Sequence, residues 1–131
     1  MKNAFKPLNL TIALVAVLCI VLTIHCSHLA ENSPVGRYVN DYEEGARHYI
    51  ELLDDHTFIY HYEKDTIVES LKANWELLKE KQGYRIFFST WKSYGPFQAE
   101  GCSNCAWSVA LEEGELFFSY MMRKEMNFHK E

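Results

Sequence analysis

Two hydropathy patterns divide the chain. From Pro7 to Ala30 no formally charged residue occurs, and Leu8–Ile24 (LNLTIALVAVLCIVLTI) is apolar except at Asn9, Thr11 and Thr23. After the Asn32-Ser33-Pro34 break the continuous run gives way to short alternating ones, the period of strands with one buried face. Gly36–Asn40 reads as a first strand. Arg47–Leu53 places His48, Ile50 and Leu52 on one face and Tyr49, Glu51 and Leu53 on the other. The Asp54-Asp55-His56 turn leads into Thr57–Tyr62, where Phe58, Tyr60 and Tyr62 alternate with Ile59 and His61. Two such aromatic and β-branched runs across an acidic turn predict a hairpin.

Ser70–Lys81 fits two periods. Leu71, Ala73, Trp75, Leu77 and Lys79 lie at period two, while Leu71, Trp75 and Leu78 fit a helix, and periodicity alone leaves both open. A charged turn, Lys79–Gly83, precedes Tyr84–Trp91 (YRIFFSTW), the clearest strand in the chain. Tyr94-Gly95-Pro96 opens a loop expected to continue to Cys105. Ala106–Leu111 and Leu116–Met122, joined at Glu112–Glu115, predict a second hairpin, and Met126–His129 a short closing strand. About seven or eight short strands favour an all-β antiparallel barrel or sandwich. No βαβ unit, internal repeat or low-complexity tract interrupts this pattern.

The first 30 residues carry a different message. Lys2 and Lys6 precede the apolar run, and the first charge after it is Glu31. This is the grammar of a secretory signal or signal anchor, so residues 1–30 are expected to form an N-terminal hydrophobic helix and residues 31–131 the β domain. Positive flanks stay in the cytoplasm, which orients residues 8–24 across the membrane with the C-terminal domain outside it. The run lies between the lengths of a signal h-region and a spanning helix. His25 before Cys26 is bulky for a lipidation site, and His28 is bulky for cleavage after Ala30. The pattern favours an uncleaved single-pass anchor in the cell envelope, with a secreted or periplasmic product after cleavage as the alternative. The exported part carries 18 acidic and 11 basic residues, a net −7. That balance argues against a nucleic-acid partner, which needs a basic face.

Several positions together resemble small lipocalin-like bacterial envelope proteins of uncharacterised function. These are Gly36 and Tyr38, then Ile50, Leu52, Asp55, Thr57 and Phe58, then Trp75 and Leu77, then the Ile-Phe-Phe strand. Leu116–Phe118 and Phe128-His129-Lys130 are similar to the group's closing strands. The resemblance covers most of residues 35–131 and implies an up-and-down, lipocalin-like barrel at the envelope. His56 stands where the group usually has glycine.

Candidate chemistry is sparse. Cys102-Ser103-Asn104-Cys105 is a CxxC without the βαβ context of a redox enzyme. It is expected to form a structural or labile loop disulfide, with metal binding and redox catalysis as the competing roles. His48, His56 and His61 are close in sequence but show no metal-ligand spacing, and they read as separate histidines, with no metal or cofactor expected. Glu43-Glu44, Asp54-Asp55 and Glu112-Glu113 fall at turns, where acidic side chains bond nearby backbone. No nucleophile elbow accompanies the Ser, His and Asp residues, and no enzymatic activity is expected. Aromatic residues make up 15% of the chain. If the barrel is hollow, Phe58, Tyr60, Trp75, Phe88, Trp107 and Phe118 would line its ligand cavity; in a solid barrel they form its core. The leading expectation is a non-enzymatic, membrane-associated envelope protein with a protein partner. The alternatives are a binder of a small apolar ligand or lipid, and a thiol- or metal-responsive sensor through Cys102 and Cys105.

Overall fold

The computed structural model describes residues 15–17, 33–95, 103–121 and 123–131. The chain divides into two compact units, Met1–Ser33 and Pro34–Glu131. In the first, residues 15–17 are helical. No helix among the described residues is long and apolar enough to cross a membrane; the expected spanning run, 8–24, lies outside them except for residues 15–17.

The second unit is a closed antiparallel barrel with its strands in sequence order. They are β1 (Gly36–Val39), β2 (Arg47–Leu52), β3 (Thr57–Lys64), β4 (Ile67–Glu80), β5 (Gly83–Lys92), β6 (Ser103–Glu112), β7 (Glu115–Phe117) and β8 (Phe128–Lys130). β8 returns to pair with β1, so the all-β barrel expected from the alternation is present and the sandwich is not. His48, Ile50 and Leu52 oppose Tyr62, Tyr60 and Phe58 across the first hairpin, and all six are buried. The turn between them places His56 at φ 61, the left-handed region that glycine occupies at least cost. The Asp55 carboxylate holds this turn by accepting the Thr57 N–H (2.9 Å) and hydroxyl (2.5 Å). The Glu113-Gly114 turn, with φ 47 and 81, has the paired positive values of a tight hairpin turn whose twist suits the strands.

The ambiguous Ser70–Lys81 segment is strand. β4 runs for 14 residues, pairing with β3 through Asn74 and with β5 from Trp75 onward. Leu71 and Ala73 pack against the core and Trp75 lies within it. Leu78 is 38% exposed, so the helical spacing of Leu71, Trp75 and Leu78 does not describe one buried face.

Three boundaries differ from expectation. The loop after Tyr94 ends before Ser103 rather than at Cys105, because β6 extends back to pair Cys105 with Trp91 and Ser103 with Lys92. Between Phe88 and Trp91 β5 gains one residue on β6, a bulge that changes which face each later side chain takes. Strand β7 stops at Phe117 instead of running to Met122. There the Asn127 side-chain oxygen accepts the N–H groups of Phe118 (2.8 Å) and Ser119 (2.9 Å), diverting the chain from the ladder. Met126 belongs to a short helix, Arg123–Met126, and not to the closing strand. The Asn40 amide donates to the carbonyls of Glu125 (3.0 Å) and Asn127 (2.9 Å), tying this helix to the end of β1.

Asn127 is 6% exposed, so its replacement by alanine leaves two N–H groups without their acceptor. Asn127→Ala is expected to cost about 2–3 kcal/mol, read as a lower urea midpoint with unchanged slope. A loss below about 0.5 kcal/mol would mean that these backbone groups are satisfied without Asn127.

Candidate functional site

The interior of the barrel is filled by rings. Phe58 and Phe88 meet edge to face at 4.7 Å, Tyr60 stacks on Trp91 at 4.5 Å and 11°, and Trp91 meets Phe88 at 5.0 Å and Phe118 at 4.9 Å. Of the six residues the sequence offers as cavity lining, Phe58, Tyr60, Trp75 and Phe88 lie in this core; Trp107 and Phe118 are partly buried against it. Trp91 and Tyr94, which the sequence did not single out, are core residues as well. The polar pair Ser89-Thr90 between Phe88 and Trp91 interrupts strict alternation but does not reveal which face Trp91 takes.

At one end the aromatic packing meets polar groups. His48 Nε2 lies 3.0 Å from the Tyr60 hydroxyl. That hydroxyl accepts the Tyr94 N–H at 3.1 Å and stands 3.4 Å from the Tyr94 carbonyl. Its single proton therefore serves either the imidazole or the carbonyl. Tyr62 and Phe128 face the imidazole edge-on at 5.1 and 4.8 Å. Burial pushes the His48 pKa down to about 4, against an opposing pull from Glu43, so the ring is neutral at pH 7. Burial likewise raises the Tyr60 pKa. Next to this group Glu43 accepts the Tyr62 hydroxyl (2.8 Å) and the Lys64 ammonium (2.5 Å). These bonds, that of Lys64 first, hold the Glu43 carboxyl below its usual range.

The cavity at this end, bordered by His48, Tyr60, Trp91, Ser93, Tyr94 and Phe118 among others, has a volume of about 20 Å³. That is room for about one water molecule, far from the roughly 300–1,000 Å³ of a small-molecule site. A wider concavity of about 560 Å³, lined by Asp41, Tyr42, Glu115, Lys124, Asn127 and His129, is bordered mainly by charged and polar side chains. There His129 Nε2 lies 3.2 Å from the Asp41 carboxylate.

The histidines do not converge. His48 points inward, whereas His61 opposes Tyr49 in register and packs against its ring, tilted by 32°, at 5.0 Å. His56 sits at the turn, 5.2 Å from the Trp75 ring. Neighbouring strands thus send His48 and His61 to opposite faces of the wall. Among the described residues no group of three or more His, Cys, Asp or Glu is arranged to hold a metal ion. Cys105 is disulfide-bonded and does not titrate; Cys102, its expected partner, lies outside the described residues.

The fold and this site define a small closed eight-stranded barrel with an aromatic interior and a buried neutral histidine at one end. No family model, curated protein or solved structure matches the chain.

Proposed function

We propose that this chain is a non-enzymatic protein of the cell envelope, tethered by its N-terminal apolar run, whose barrel works through its outer surface by contact with other proteins. The observation that supports a surface role over a ligand-carrying one is the ring packing inside the barrel, where the cavity at the His48 end has a volume of about 20 Å³ among the described residues. An apolar ligand or lipid would need several of these rings to move, each fixed by two or more ring neighbours. The apolar Leu8–Ile24 run with Lys2 and Lys6 before it supports the tether and its orientation. We assign Cys102 as the partner of Cys105, closing a small loop at the β6 end.

Full-length chain expressed in a bacterium, recovered from membranes and examined by native mass spectrometry, tests this. It is expected in the membrane fraction, digested only by protease reaching the periplasmic side, at its bare mass and two hydrogens light until reduced. An apolar molecule released on denaturation would overturn the surface role in favour of ligand carriage. Recovery in the cytosol would overturn the tether.

A further inference from the structure

Barrel closure is uneven along β4. Its first part is paired with β3 only as far as Asn74, and Trp75–Glu80 is paired with β5. On the β3 side the Trp75 N–H still reaches the His56 carbonyl at 2.8 Å. Past that bond, among the described residues, Glu76–Glu80 has no strand pairing or backbone hydrogen-bond partner on this side. Successive residues of an antiparallel strand send their backbone N–H and C=O to opposite sides. The direction of Trp75 therefore fixes those of Leu77 and Lys79: their backbone groups face the open edge, while those of Leu78 face β5. Leu77 and Leu78, on opposite faces of the strand, are 40% and 38% exposed.

Such an edge accepts an added strand, and the charges on it decide which. The antiparallel self-pairing that bonds both edge-facing residues sets Leu77 opposite Lys79 of a second copy. That register also sets Glu76 opposite Glu80 twice over, and like charges directly opposite are destabilising. The edge is thus charged against its own copy, while Glu76, Lys79 and Glu80 define the complement it would accept.

We infer that this edge binds an extended segment of another protein by strand addition. The segment carries basic residues opposite Glu76 and Glu80, an acidic residue opposite Lys79 and apolar residues opposite Leu77 and Leu78. Read along an antiparallel partner, the sequence is basic, acidic, apolar, apolar, basic. The inference rests on the proposed role in protein contacts and names the contact.

The test uses the full-length chain in neutral detergent micelles and two fluorescent peptides in Gly-Ser flanks, Lys-Glu-Val-Val-Lys and its charge-reversed form Glu-Lys-Val-Val-Glu. Anisotropy titration is expected to show the first binding about tenfold more tightly, as three cross-strand charge pairs change sign. The triple variant E76K/K79E/E80K should invert that order. Lys79→Pro removes an N–H that faces away from β5, a tolerated edge position; with near-UV circular dichroism unchanged, it should abolish binding of both peptides. Hydrogen exchange should slow at the Leu77 and Lys79 amides on binding, and not at Leu78. Equal affinities, no binding of either peptide, or binding that survives Lys79→Pro would overturn the inference. None of these outcomes bears on the proposed surface role, which stands or falls on the mass and membrane measurements.

Discussion

Trp91→Ala is expected to remove about 3–5 kcal/mol of stability, enough to leave a domain of this size near the edge of folding. The indole is 2% exposed and touches the rings of Tyr60, Phe88 and Phe118 at 4.5, 5.0 and 4.9 Å. Its loss strips contacts from three neighbours that belong to a closed wall and cannot collapse freely into the space. Thermal unfolding should fall by at least about 12 °C, at roughly 4–8 °C per kcal/mol for a domain of about 100 residues. Trp91→Phe keeps a ring in place and should cost less than half as much. A small effect of the alanine variant would mean that the interior is loosely filled, and it would reopen the reading of the six aromatic positions as the lining of a ligand cavity.

Much of this architecture was legible. The period-two pattern of Arg47–Leu53 and Thr57–Tyr62 set Ile50 with Leu52, and Phe58 with Tyr60 and Tyr62, each on one face. The structure buries those faces together because a hairpin with one buried face has one acceptable register. The turns were legible for a similar reason: Asp55 and Gly114 carry side-chain chemistry or backbone freedom that few other sites require. The misses lie where non-local contacts overrule alternation. Trp91 faces inward only because the bulge at Ser89-Thr90 shifts parity, and nothing in a single strand announces which partner will impose a bulge. Strand β7 ends at Phe117 because Asn127, ten residues later, captures the next two N–H groups, an interaction invisible to any short window. β4 resisted assignment because it belongs half to β3 and half to β5, so its two halves bury different neighbours. The reading of His48 and His61 as separate histidines agrees with their parity in register, which sends them to opposite faces.

The buried imidazole supplies the second large expected effect, through its own titration. In the unfolded chain His48 takes up a proton near its ordinary pKa of 6.5; in the barrel it does so only at about 4. Between those values the unfolded state binds the extra proton, so stability is fully present above about pH 6.5 and falls as the pH drops toward 4. The loss integrates to about 3 kcal/mol over that window, at about 1.4 kcal/mol per pKa unit. Glu43 faces the ring from the β1–β2 connection and favours its charged form, whereas His61 opposes it. The Glu43 carboxylate has its own linkage of the same sense, but because its pKa is depressed from 4.5 that loss begins lower, as the pH falls through about 4.5. Urea midpoints measured across the upper window should therefore decline for the native chain and stay nearly level for His48→Gln, whose side chain carries no charge at either end. The His48 ring resonances should show no protonation shift while the barrel remains folded above about pH 5. Parallel stability curves for the two proteins, or an imidazole that titrates near 6.5 in the folded state, would show that water reaches His48 and that the end of the barrel holding Tyr60 and Tyr94 is open.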